Sequence, residues 1–219
     1  KTAEGRVEVA GKIIREAEKF GIKKKDLVID VLAMTVSSDP EGAKVTLEAL
    51  KGVREKYGVC TVLGVSNISF GLPSRPVINA HFYTMAMQAG LSAGIVNPSS
   101  EEMMRSYYAY CALTDQDPNF EAYIQRFGGT DTAAPKGKKD SELTLQAAIE
   151  KGLKEEAKEA ATELLLTLAP LEIIDSHLIP ALDAVGKGFE KGTVFLPQLL
   201  MSADAAKIAF GVLKEHLAA

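Results

Sequence analysis

Asp30, the pair Ser66-Asn67, and Asn97 each close a short apolar run, and Arg75 follows Asn67 by eight residues. A carboxylate and two carboxamides offer planar hydrogen bonding, suited to the donor–acceptor edge of a heterocycle. They are a poor metal set, because no histidine or cysteine joins them. The competing reading is structural: aspartate and asparagine often cap the turn that follows them. Asn97, directly before Pro98, suits that role well. Asp30 suits it less, with four residues between it and the next turn signal, and Asn67 least.

The elements that must position these residues alternate. Arg6 to Phe20 is amphipathic, with Val9, Ile13, Ile14 and Ala17 near helical spacing, and Gly21 stops it. Leu27 to Asp30 reads as a short buried strand. Ser38-Asp39-Pro40 reads as cap and first turn of a helix running to Tyr57, ended by Gly58. The run "TVLGVSN" supplies a second strand, Pro76 to Gln88 a helix closed by Gly90, Ala93 to Asn97 a third strand, and Ser99 to Leu113 another helix. Strands alternating with helices imply βαβ crossovers and a parallel sheet. The period of roughly 30 to 35 residues is that of a (β/α)8 TIM barrel. With three strands and a helix at the start, residues 1–127 are expected to be the last three β/α units of such a barrel, its first five units lying outside this chain.

Residues 128–140 hold Gly128-Gly129, Pro135 and lysines without hydrophobic period, and read as a linker. Beyond it the strand signal vanishes. Leu143–Lys151, Lys154–Thr167, Pro170–Phe189 and Pro197–Leu217 read as four helices, with Pro170 and Pro197 where helix starts tolerate proline. The expected class is therefore α/β followed by all-α, with a four-helix bundle over 141–219.

The segment "GVSNISFGLPSRPVINAHF" resembles the pterin-binding barrel of cobalamin-dependent methionine synthases and related methyltetrahydrofolate methyltransferases. The resemblance implies that Asn67 contacts N5 of the folate, the atom bearing the methyl, and that Asp30 hydrogen-bonds the pterin ring. It also implies that Arg75 lines the same site, and Asn97 joins these as a candidate pterin contact. The chemistry is coherent. A tertiary amine leaves only when positive charge on it is stabilised, and an amide rotates to accept from a protonated nitrogen or donate to a neutral one. Asp30 offers a charge-assisted fork for two N–H groups of the amino-pyrimidine edge. Arg75 pairs with a substrate carboxylate or with Asp30; both stay open.

Gly186 through Gln198, Gly-x-x-Phe-x-x-Gly-x-x-Phe-Leu-Pro-Gln, resembles the helical cap of cobalamin-binding modules. The resemblance implies that Phe189, Leu196 and Leu199 lie over the corrin and shield the methyl carried on cobalt. Cobalamin, as methylcobalamin, is then the cofactor and tetrahydrofolate, in its 5-methyl form, the methyl-donor substrate. The cofactor's main α/β domain, whose Asp-x-His-x-x-Gly motif is absent here, is expected to follow, and a homocysteine domain to complete the enzyme. The implied reaction carries a methyl from 5-methyltetrahydrofolate through the corrinoid to homocysteine. A different methyl acceptor, or a segment without activity of its own, are the alternatives.

Composition excludes other classes. A net charge of −4 without a basic stripe argues against nucleic acid. Without a run of eighteen apolar residues, a membrane span is not expected. Lys23-Lys24-Lys25 suits a solvated turn after a helix. Cys60 and Cys111 read as reduced, buried thiols of a cytoplasmic protein. His81, His177 and His216 are isolated and read as helix residues, and Met103, Met104 and Met201 as core filling.

Overall fold

The structure, a computed structural model, describes residues 2–128 and 144–217. It is mostly helical with one small parallel sheet. Apart from Gly128, the expected linker lies outside the described residues. The chain divides into two compact units, Lys1–Gln116 and Asp117–Ala219. The short helix Glu121–Phe127, expected with the first region, is grouped with the second.

In the first unit, helix α1 (Ala3–Lys19) starts where the Thr2 hydroxyl accepts the Gly5 N–H at 3.2 Å. Strand β1 (Val28–Asp30) follows, then α2 (Gly42–Tyr57), β2 (Cys60–Gly64), α3 (Arg75–Gln88), β3 (Ala93–Ile95) and α4 (Glu101–Leu113). Helix α2 begins later than its Pro40 suggests, since the Asp39 carboxylate instead binds the Glu41 N–H in a preceding turn. It ends at Gly58, whose φ of 67° is the left-handed conformation that glycine adopts without penalty. The sheet order is β1-β2-β3, all parallel, with Asp30 beside Val62 and Gly64 beside Ile95.

Among the described residues, helices cover one face of this sheet and leave the other uncovered. Ile29, Thr61 and Leu63 are buried, while Val28, Cys60 and Ile95 are exposed. Period-two alternation explains the contrast, because neighbours along a strand point to opposite faces. It also corrects the cysteines: Cys60 is exposed on the uncovered face and Cys111 half-buried, and both are free. Val9 and Ile13 are corrected likewise. The buried side of α1 is Ala3, Ala10, Gly11 and Ile14, against α2, which leaves Val9 and Ile13 half-exposed along a groove.

The second unit contains α5 (Glu121–Phe127), α6 (Leu145–Glu150), α7 (Lys154–Leu164), α8 (Pro170–Ile173), α9 (Ile179–Glu190) and α10 (Leu196–Leu217). A π-helical turn over Ile174–Leu178 joins α8 to α9. Pro180 explains it, since a proline clashes with the carbonyl four residues earlier and a widened turn gives that ring room. The core is dominated by alanines: Ala148, Ala157, Ala161, Ala181, Ala205, Ala206 and Ala209 sit with Ile149, Ile173 and Leu213. Helix α10 is long and apolar enough, by length and composition, to cross a membrane, which the lack of an unbroken apolar run did not anticipate. Here it buries Ser202, Ala205, Ala206, Ala209 and Leu213, while Asp204 pairs with Lys154 at 2.8 Å.

The alternation is testable. Leu63→Ala removes a fully buried side chain and is expected to cost about 2–5 kcal/mol in chemical denaturation. Cys60→Ala, three residues earlier on the uncovered face, is expected to stay within about 1 kcal/mol.

Candidate functional site

Parallel pairing brings the C-terminal ends of all three strands to one edge of the sheet, where the βα loops emerge. Asp30 is the last residue of β1 and shares the uncovered face with Val62 and Ala93. Its Oδ1 accepts the Leu32 N–H at 2.8 Å, so a turn begins at once rather than several residues on. Oδ2 has no hydrogen-bond partner among the described residues. Asp30 stands at the rim of a groove of about 500 Å³, whose other walls include Arg6, Val9, Ile13, Leu32 and Met34.

Asn67 does not end the strand itself. Strand β2 stops at Gly64, and Val65–Ser69 forms a 3-10 turn that carries Ser66 and Asn67 beyond it. Val65 and Ile68 are buried and root the turn, whereas Asn67 is exposed and its carboxamide makes no hydrogen bond among the described residues. The absent side chain at Gly64 makes room for it: a Cβ there would lie 3.0 Å from Asn67 Nδ2.

Arg75 does not pair with Asp30; its hydrogen bonds go to the turn after β2. From the first residue of α3, its Nε donates to Ser69 Oγ at 3.0 Å and its Nη2 to the Ser66 carbonyl at 2.8 Å. Its guanidinium also lies 5.8 Å from the centre of the Phe70 ring. It braces the turn that bears Asn67. From the other side the β1–α2 loop grips the same turn: Val36 N–H donates to the Ile68 carbonyl at 2.9 Å, and the Thr35 and Ser37 hydroxyls both donate to the Phe70 carbonyl, at 2.8 and 2.7 Å. Asn97 lies two residues beyond β3, exposed, with Oδ1 accepting the Ser99 N–H at 3.0 Å in the turn before α4. The loops after β1 and β2 are thus tied together, while Asn97 is engaged in its own turn.

Sequence reasoning did not single out Thr35, Ser37, Ser69 or Arg6. The serine two residues after Asn67 was visible inside the quoted motif. Nothing local marks the others, because their partners are main-chain carbonyls 25 to 35 residues away.

In the second unit, the turn between α9 and α10 folds back on the helix. The Gly188 carbonyl accepts the Thr193 and Val194 N–H groups at 2.9 and 3.1 Å, and Gln198 Oε1 accepts the Phe195 N–H at 2.8 Å, capping α10. Gly192, with φ 72°, permits the reversal. Phe189 and Leu196 are exposed by 44% and 55%, Leu199 is half-buried, and Leu200 is exposed. Ile179 and Leu182 continue the exposed stripe up α9, in step with Phe189. Gly186 interrupts it, and a side chain there would meet only open space. Internal packing therefore does not require that glycine.

Residues 2–97 match the family of pterin binding enzymes, and residues 143–214 match the B12 binding domain. Over 99% of its length the chain is 28% identical to the methionine synthases of Mycobacterium tuberculosis (strain ATCC 25618 / H37Rv) and Mycobacterium leprae (strain TN), spanning 20% of each. Over 58% of its length it is 32% identical to a methylcorrinoid:tetrahydrofolate methyltransferase of Eubacterium limosum, covering 47% of that protein. The chain thus spans about a fifth of the methionine synthases it matches and just under half of the methyltransferase.

The brace carries its own test. Arg75→Met is expected to speed deuterium exchange at the Phe70 and Leu72 amides, whose bonds to the Asn67 and Ser69 carbonyls close the turn. Overall stability should fall by about 1–3 kcal/mol, the range for hydrogen bonds from a charged donor.

Proposed function

We propose that this chain is part of a folate- and corrinoid-dependent methyltransferase of the methionine synthase type. The observation that carries the reading is the free carboxamide of Asn67, braced on a rooted turn at the C-terminal edge of a parallel sheet, in a chain that also carries a B12 binding domain. On this reading the three strands are the last units of a (β/α)8 barrel. The uncovered sheet face supports that, because all-parallel sheets occur almost only with both faces covered. Residues 1–127 would then be the barrel portion, 128–140 a linker, and 141–219 a four-helix-bundle cap. Further barrel units, a homocysteine domain and an α/β cobalamin domain, from the same or another chain, are the expected partners.

The chain's own residues would act as follows. Asp30 Oδ2 accepts an N–H of the amino-pyrimidine edge while Oδ1 stays bound to the Leu32 N–H. The Asn67 carboxamide sits against N5 of 5-methyltetrahydrofolate, where its oxygen accepts a hydrogen bond from protonated N5 and its Nδ2 donates to the lone pair once N5 is neutral. Rotation lets the amide meet the lone pair that N5 gains as the N5–methyl bond breaks and the positive charge is lost, and it costs little because no hydrogen bond among the described residues holds the amide. Arg75 keeps the turn still meanwhile, and Asn97 supplies a further amide at the same edge.

The second unit fits a corrinoid. A flat macrocycle needs an apolar surface without projections, and Ile179, Leu182, Phe189 and Leu196 offer one around the bare backbone of Gly186. Phe189, Leu196 and Leu199 would cover its upper face and exclude water. When bound, the corrinoid supplies a cobalt centre that accepts and hands on the methyl group. The methionine-forming reaction, with homocysteine as final acceptor, follows the mycobacterial relatives. A second reading, transfer between folate and a corrinoid serving another methyl acceptor, is favoured by the higher identity to the Eubacterium limosum protein over the 58% of this chain that it matches.

Two measurements test the proposal. Asn67→Ala, in the protein that carries this chain, is expected to slow methyl transfer from 5-methyltetrahydrofolate ~10²-fold or more, the scale for one aligned polar group. Transfer from methylcobalamin to homocysteine should be nearly unchanged; equal damage to both half-reactions would reduce Asn67 to a structural role. Gly186→Ala should have opposite effects on two readouts. Thermal unfolding without ligand should show a gain of about 0.5–1 kcal/mol from removing a helix-interior glycine. Cobalamin retention on gel filtration should drop, and unaltered retention would contradict a macrocycle on this face.

A further inference from the structure

Leu32 lies two residues after Asp30 and holds φ at 67°, the left-handed region that a leucine adopts only under constraint. Packing does not impose it, since the side chain is 58% exposed. Hydrogen bonds at both ends of the residue do. Its N–H donates to Asp30 Oδ1 at 2.8 Å. Its carbonyl accepts from Arg6 Nη1 at 2.6 Å and from the Thr46 hydroxyl at 3.1 Å. The same Arg6 nitrogen lies 2.9 Å from the Val31 carbonyl and 3.1 Å from Thr46 Oγ1. Thr46 is fully buried on α2, and its one hydroxyl hydrogen is shared between the Leu32 carbonyl and the Gly42 carbonyl, which lies at 2.7 Å. An arginine from α1 and a threonine from α2 thus hold a strained peptide whose N–H points back at the candidate pterin-binding carboxylate.

We propose that Arg6 is a positioning residue for Asp30. By gripping the Val31 and Leu32 carbonyls it holds Leu32 left-handed, which presents the Leu32 N–H to Oδ1. One carboxylate oxygen is thereby tied down, and the other is left for the N–H edge of the pterin. Without the guanidinium, Leu32 relaxes to negative φ, its N–H turns away, and the carboxylate becomes free to rotate. Ligand binding must then order it again, at a cost in affinity. This inference rests on the reading of Asp30 as a pterin contact, so its test must separate the two.

The experiment measures equilibrium binding of 5-methyltetrahydrofolate to the protein that carries this chain, with thermal unfolding followed in parallel. Asp30→Asn probes the underlying reading and is expected to weaken binding. Arg6→Met is expected to weaken it about tenfold, the equivalent of one charge-assisted hydrogen bond made imperfect. Leu32→Gly alone should leave affinity close to the starting value, because glycine adopts φ 67° without strain. The decisive variant is Arg6→Met/Leu32→Gly. Binding should recover most of the loss in it, although a second glycine-loosened loop gives no reason for stability to recover. Should Arg6→Met fail to fold, Arg6→Lys makes the same comparison, with an ammonium on a flexible stem in place of the planar guanidinium and a loss of roughly threefold. Unchanged binding in Asp30→Asn would overturn the reading of Asp30 and this inference with it. Weakened binding in Asp30→Asn beside full affinity in the Arg6 variants would overturn the inference alone. A loss in the Arg6 variants that Leu32→Gly does not repair would also overturn it, marking Arg6 as a direct ligand or a plain support.

Discussion

Parallel pairing is the constraint on which the first unit depends. With Asp30 beside Val62 and Gly64 beside Ile95, the strands run in one direction and all their C-terminal ends meet one edge. Antiparallel pairing of the same segments would scatter Asp30 and Asn67 to opposite ends. The price of a parallel sheet is that every return needs a long crossover, and α2 and α3 supply these. Their burial against Ile29, Leu63, Val65 and Ile68 makes a firm floor. The polar groups above that floor can then remain exposed without endangering the fold.

On that floor the loops are made rigid by main-chain carbonyls rather than by side-chain pairs. The Phe70 carbonyl takes two hydroxyls, the Ser66 carbonyl takes Arg75, and the Leu32 carbonyl takes Arg6 and Thr46. Arginine suits such work, since its planar fork stays charged and reaches two acceptors from a fixed position. The carboxamide and carboxylate that could meet a ligand are spared: Asn67 is left unengaged and Asp30 half engaged. A site organised this way keeps its reactive groups free while their supports carry the hydrogen-bonding load.

The second unit solves a different problem. Its interior is built from alanines, which let helices approach closely, so its larger apolar side chains are left over for the outside. Ile179, Leu182, Phe189, Leu196 and Leu200 form an exposed apolar surface that such a small unit does not need for its own stability. Pro180 and its π turn shape the long helix that carries part of that surface. The Gly188–Val194 reversal brings the start of α10 back against the end of α9.

Much of this was legible in the residues themselves. Hydrophobic period separated the β/α region from the helical one, and glycines at 21, 58 and 90 marked the ends that the structure shows. These are local matters of backbone sterics and side-chain periodicity, and they need no knowledge of the rest of the chain. The placement of Asp30, Asn67 and Asn97 at one edge also followed, since alternating strands and helices imply parallel pairing. What the sequence left undetermined depends on contacts between distant segments. Whether Cys60 and Val9 are covered turns on which face of an element meets a neighbour, and period alone cannot choose between two apolar sides. The sequence left the partner of Arg75 open, and only the fold showed the Ser66 carbonyl within its reach. Asp30 and Leu32 are two residues apart, yet the strain between them is held by Arg6 and Thr46 from two other helices. A main-chain carbonyl carries no side-chain signature, so bonds made to it are decided by tertiary structure alone.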